Sequence, residues 1–194
     1  MMNAQPPVRD RILASATRLF DADSIRSVSA DKVISDAGTT KVTFYRHFRS
    51  KDHLVVAYLD DQLGQLQAAV ERERAAGRDA CAVLRRLAAA NGNAACRPGF
   101  RGCTFINAAA EYPADGSLVR DAVDRYRAWL HAVVADLLTD LGADRPHVVA
   151  DQLIMLRDGA MVHGFMGDPA SVTDSLVTAG RAIISAHVRA PLPA

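Results

Sequence analysis

The side chains best placed to do chemistry together lie in one short stretch, SADKVISDAGTTKVTFYRHFRSK, residues 29–51. Across 38–51 the charged residues are Lys41, Arg46, Arg49 and Lys51, with no acid among them, and Phe44, Tyr45 and Phe48 stand in between. Ammonium and guanidinium groups gathered in this way suit a polyanion. They pair with phosphates, and Lys and Arg also donate to the O6 and N7 acceptors of guanine. The chemistry needs a scaffold that holds the cations on one side.

The sequence predicts that scaffold as short helices. Ser29 fits the cap of the first, its hydroxyl oxygen accepting from an otherwise unpaired amide, and Asp31 in the first turn complements the helix dipole. Ala30, Val33, Ile34 and Ala37 fall at i, i+3, i+4 and i+7, a buried stripe. Gly38 ends the helix where a left-handed residue is needed. Thr40 fits the cap of a second short helix, whose Val42, Phe44, Tyr45 and Phe48 are too apolar for a free loop. Ser50 caps a third, longer one. Helices of about two turns do not stand alone in water. Two of them crossing at a glycine turn read as a helix-turn-helix, whose second helix enters the DNA major groove. A solvated basic face on an ordinary helical hairpin fits the same spacing.

Over about fifty positions, from Arg9 to Leu59, the chain resembles the DNA-binding domain of TetR-family transcriptional regulators. The residues that carry the likeness are Leu19-Phe20, Ala37-Gly38, Thr43-Phe44-Tyr45-Arg46-His47-Phe48 and Ser50-Lys51-Asp52-His53-Leu54. The resemblance implies an all-α protein of about nine helices: an N-terminal helix-turn-helix domain over 1–53 and a C-terminal helical bundle for ligand binding and dimerisation over 54–194. It implies DNA contacts from Ser29, Thr40, Lys41, Val42, Thr43, Tyr45, Arg46, His47 and Lys51. Of these, Lys41, Val42, Thr43 and Arg46 face base edges, while Thr40, Tyr45, His47 and Lys51 meet phosphates that set register without reading sequence. The chain departs from the family at two places. Val42 stands where glycine is frequent. Asp31 stands where a basic or polar residue is frequent, and since an acid repels phosphates no DNA contact is expected there.

The resemblance also implies the partners: double-stranded operator DNA, a small and largely apolar inducer, and a second copy of the chain paired through the last two helices. The segment 102–113 is similar to one that lines the ligand cavity in a branch of the family. Asn107 and Glu111, at i and i+4 between Phe105 and Tyr112, then serve as its orienting polar groups. Bracing of neighbouring helices by the same pair is an equal alternative. Phe100, Cys103, Tyr126, Trp129 and Met161 complete the expected pocket.

Composition bounds the rest. At 194 residues the chain can bury a sizeable core, and its net charge of +1 is divided as +3 over 1–53 and −2 over the remainder. There is no apolar leader and no run of transmembrane length, so a cytoplasmic protein is expected, with Cys81, Cys96 and Cys103 reduced. Periodicity predicts helices over 8–21, 51–76, 80–90, 117–141, 147–166 and 169–188, with 91–102 as a loop. An enzyme reading needs a converging nucleophile, base and orienter. Cys103, His131 or His163, and Asp158 have no spacing that links them, and no CxxC or HExxH metal spacing is present. No catalysis, metal or cofactor is expected. Two other readings stay open: a thiol-based redox-sensing repressor using Cys96 and Cys103 beside Arg97 and Arg101, and a helical interaction module that has lost DNA binding.

Overall fold

The computed structural model describes residues 6–189 and Leu192; the sequence reads 1–7 as a disordered arm, and of these 1–5 lie outside the described residues. Among the described residues the secondary structure is nine α-helices and one 3-10 turn, with no strand. Contacts divide the chain into two compact units: residues up to Gly64 together with Thr104–Asp124, and Gln65–Cys103 together with the residues from Arg125 onward.

The first unit holds α1 (Val8–Ala22), α2 (Ala30–Asp36), α3 (Lys41–His47) and the first part of α4 (Lys51–Ala75). Each expected cap is in place. Ser29 Oγ accepts from the Lys32 amide at 3.1 Å, Thr40 Oγ1 from Thr43 at 3.2 Å, and Ser50 Oγ from His53 at 3.3 Å. Gly38 takes φ +58°, and the Gly38 and Thr39 amides close back on Ser35 and Ile34 carbonyls at 3.2 and 3.1 Å. That is the left-handed helix end a side chain would strain. Ile12, Ala16, Phe20, Val33, Ile34, Phe44 and Phe48 are buried, joined by Leu54, Val55, Tyr58 and Leu59 of α4. Ile25 and Val28, from the loop after α1, are buried as well, so that loop is anchored at two points. The same unit contains α6 (Thr104–Glu111) and the start of α7 (Leu118–Asp140).

The second unit holds the end of α4, α5 (Ala80–Ala95), most of α7, α8 (Pro146–Met166) and α9 (Val172–Ser185). Its core joins Val134, Ala135, Leu138, Val149, Ala150 and Ile184, with a second cluster of Val70, Val83, Val133 and Leu137. Helices α5, α8 and α9 pack on one another.

The structure corrects two boundaries. Helix α5 does not stop near 90 but runs to Ala95. Asn91 Nδ2 donates to the Leu87 carbonyl at 2.7 Å, and its Oδ1 accepts from Arg157 Nε at 3.2 Å. At Gly92 an added Cβ would lie 1.7 Å from Thr173 Oγ1. The Asn-Gly-Asn run that reads as a loop is therefore a helix crossing that needs glycine. The last helix begins later than 169, at Val172, after the 3-10 turn Pro169–Ser171 that Asp168 caps through the Ala170 amide at 3.0 Å.

Candidate functional site

Helix α3 presents a divided surface. Phe44 is 0 % exposed and Phe48, which follows the helix, 3 %, so these two fix it to the unit's core. Lys41, Val42, Tyr45, Arg46 and His47 are exposed and Thr43 is half-buried; Val42 stands out at 73 %. Lone apolar side chains do face water, but here the exposed one sits between Lys41 and Arg46, the two cations of the expected base-reading row. The Thr40 and Thr43 hydroxyls are 3.0 Å apart at the helix start, and Ser29 holds the corresponding place on α2. Lys51 Nζ donates to the Arg26 carbonyl at 3.1 Å. Its partial burial draws the pKa below the usual lysine value, an effect opposed by Glu111 and Asp52. Lys41 has an acidic partner on this face: Asp31 Oδ1 lies 3.0 Å from its Nζ, and the bond to Asp31 raises the Lys41 pKa.

A second arrangement sets the position of α2. The Glu111 carboxylate, at the end of α6, accepts from Ser24 Oγ at 2.9 Å and from the Ile25 and Arg26 amides at 3.2 and 2.6 Å. One carboxylate thus holds three consecutive residues of the α1–α2 loop. Beside it the Arg26 guanidinium lies 5.5 Å from the centroid of the Tyr112 ring. Tyr112 hydrogen-bonds Asp52, and burial first, then the Asp52 charge, pushes its phenol up to about 12. At the other end of α6, Tyr58 Oη donates to Asp21 Oδ1 at 2.5 Å and lies 3.3 Å from Thr104 Oγ1. Of the two roles open to Glu111 in the sequence, its contacts are those of a brace. Phe105 is buried, and Asn107 and Tyr112 are half-buried.

The second unit carries a half-buried polar cluster. Arg157 donates to Asn91 and, through Nη1, to Asp158 Oδ1 at 2.9 Å, while Arg127 bonds the other Asp158 oxygen. Burial works against the Arg157 charge, but Cys103, Tyr126 and the bonds to Cys103 and Asp158 outweigh it and hold the guanidinium above its ordinary pKa. Burial also pushes the Tyr126 phenol up. Tyr126 and Trp129 lie with ring centroids 6.4 Å apart, and Met161 is buried. Phe100 lies against Gly164, where Ala95 also comes within 2.8 Å of where a Cβ would stand. Separately, a cleft of about 490 Å³ is lined by Arg74, Arg78, Ala80, Val83, Asp136, Leu137, Thr139 and Asp140. Charges of both signs line it and it contains none of the expected pocket residues, so it does not suit a largely apolar ligand.

Residues 12–58 match the family model described as bacterial regulatory proteins, tetR family. The structure superposes on SCO4454, a TetR-family transcriptional regulator from Streptomyces coelicolor, with a TM-score of 0.87 and 37 % sequence identity over 93 % of this chain and 95 % of that one. The chain belongs to the TetR family of transcriptional regulators. A putative TetR transcriptional regulator from Streptomyces avermitilis shares the fold at TM-score 0.78 and 23 % identity, over 90 % of this chain and 98 % of the other. The reduced form of Escherichia coli NemR does so at TM-score 0.77 and 19 % identity, over 96 % and 100 %. No curated protein matches the sequence.

Within the TetR family frame, the matched segment is the one that carries α2, α3 and the start of α4, where every expected DNA-binding residue lies. Of the expected pocket residues, Cys103 and Tyr126 meet at Arg157, and Trp129 joins Tyr126. Sequence reasoning missed Arg157, Asn91 and Arg127. A signal existed, because Arg157-Asp158 interrupts the otherwise apolar face of α8. Bracing by Glu111 is one of the two roles the sequence offers, but its partners at 24–26 are more than eighty residues away and no local pattern encodes them. Among the described residues no helix is long and apolar enough to cross a membrane.

Proposed function

We propose that the protein is a homodimeric repressor that binds a palindromic operator and is released by a small, largely apolar molecule. The observation that carries the reading is the row of exposed Lys41, Val42 and Arg46 with half-buried Thr43, on a helix fastened from behind by Phe44 and Phe48. Lys41 and Arg46 donate to guanine acceptors, the Val42 and Thr43 methyls meet a thymine methyl, and Thr40, Tyr45, His47 and Lys51 set register on phosphates. Ser29 shares that work as the cap of α2. Dimerisation is supported by α8, where Val148, Met155 and Val162 repeat every seven residues and, with Phe165 and Met166, are 45–78 % exposed. An apolar stripe of that extent on a helix calls for a partner. A second copy supplies one, and two heads then enter successive major grooves about 34–36 Å apart. The ligand meets Cys103, Tyr126, Trp129 and Met161, and it acts by its higher affinity for a dimer whose heads are wrongly spaced. A nuclease footprint on bound operator tests this: two protected half-sites one helical turn apart are expected, and a single or continuous patch refutes the dimeric reading.

A thiol-switched repressor is the second reading, favoured by the Arg157 guanidinium that hydrogen-bonds Cys103. Cys96 is exposed, with its Sγ 3.4 Å from the Pro169 carbonyl. Peroxide should then release wild-type protein from operator but not the Cys103→Ala variant; equal release of both excludes Cys103.

A further inference from the structure

The proposed row of base-reading residues leaves one neighbour unassigned. Asp31 stands in the first turn of α2 and Lys41 is the first residue of α3, and their charged groups meet at 3.0 Å to Oδ1 and 3.2 Å to Oδ2. Both side chains are about two-thirds exposed, at 66 % and 65 %. An ion pair this exposed adds little to stability, so folding does not account for it. An unpaired carboxylate beside DNA repels phosphates, but this one is neutralised by the very lysine expected to read a base.

We infer that Asp31 and Lys41 act together as a reader of one G·C base pair, with the lysine on guanine and the aspartate on cytosine. The proposal rests on the DNA-binding reading above. In the major groove, guanine shows the acceptors N7 and O6, and cytosine the donor N4. O6 and N4 are themselves hydrogen-bonded across the pair at about 2.9 Å. An ammonium and a carboxylate 3.0 Å apart match that edge atom for atom. Nζ donates to O6 while N4 donates to Oδ, and N7 offers the ammonium a second acceptor. The ion pair enters the groove without separating, so neither charge is left uncompensated when water leaves. Turning the pair round to C·G sets an amino group against the ammonium and a keto oxygen against the carboxylate. A T·A pair keeps the order of acceptor and donor but places the thymine methyl near the position of N7. Lysine alone favours guanine; the aspartate adds the penalty for the reversed pair.

Selection of full-length protein on a pool of randomised duplexes tests this, with wild type, Asp31→Ala, Lys41→Ala and the exchange variant carrying Asp31→Lys and Lys41→Asp. Wild type should enrich a half-site with a G·C pair of fixed orientation. Asp31→Ala should lower the preference for G·C over C·G at that position by about tenfold and leave the preferences at the other positions unchanged. The exchange variant should prefer C·G. An Asp31→Ala variant that enriches the same base frequencies as wild type overturns the paired reader while leaving sequence-specific binding standing. A wild-type protein that enriches no sequence overturns both.

Discussion

Replacement of Glu111 by alanine removes a single carboxylate and with it three hydrogen bonds to the loop that leads into α2. Hydrogen bonds to a charged acceptor contribute about 1.5–3 kcal/mol each when buried. Two of the three here are part-buried and the third, from the Arg26 amide, is exposed, so water replaces part of what is lost. A net destabilisation of about 2–4 kcal/mol follows. For a chain of this length that corresponds to a fall in Tm of roughly 5–15 °C. Ile25 and Val28, at 3 % and 0 % exposure, keep the loop attached through apolar contact, so the unit still folds but α2 loses its fixed start. Operator affinity should therefore fall together with Tm, and Glu111→Gln, which keeps one carbonyl acceptor, should lie between wild type and alanine in both. Differential scanning calorimetry and operator titration on the same preparations give the two numbers. Unchanged Tm and unchanged operator affinity in Glu111→Ala would show that the brace carries no energy. Altered ligand response with unchanged Tm would return Glu111 to the pocket.

The remaining expectations concern separate parts of the molecule. Gly92→Ala places a methyl against Thr173 Oγ1 and should cost about 3 kcal/mol through forced separation of α5 and α9; denaturant unfolding measures it, and a neutral variant contradicts the close crossing. Lys51→Ala should weaken binding to all DNA sequences alike and reduce the salt dependence by about one per subunit; a sequence-dependent loss places Lys51 on a base. Met155→Glu sets a charge in the exposed stripe of α8 and should shift the protein to monomer in sedimentation, while an unchanged dimer moves the interface elsewhere. The Tyr112 phenol is held protonated to about 12 against 10 when unfolded, so its stabilisation is complete below pH 10 and lost between pH 10 and about 12. Tyr112→Phe should lower stability at neutral pH and flatten that alkaline loss, read from urea unfolding across pH; an unaltered alkaline profile refutes the assignment.

The reading head was legible because its signals are local. Ser29, Thr40 and Ser50 each cap the helix that follows them within three residues, and Gly38 makes a turn only a residue without a side chain makes easily. Phe44 and Phe48 stand four apart, the spacing of one helix face, and both are buried. The helices of the second unit were legible in number but less so in extent. Asn91, Gly92 and Asn93 carry the composition of a loop, and only Thr173 and Arg157, far along the chain, make them helical. The Glu111 brace and the Arg157 cluster depend likewise on distant partners: a carboxylate at the end of a short helix looks the same whether it meets a ligand or a loop amide. Asp31 was legible as a departure from the family but not as a partner of Lys41, because the pair forms only once α2 and α3 cross.

The central claim, that α3 reads DNA sequence, is tested most directly by titrating the purified protein onto the intergenic DNA beside its own gene, by mobility shift across a salt series with competitor DNA present. Saturable binding that survives competitor and moderate salt, and that weakens steeply as salt rises further, is the predicted result. Binding of equal strength to competitor and target, abolished by moderate salt, would contradict sequence reading at that DNA.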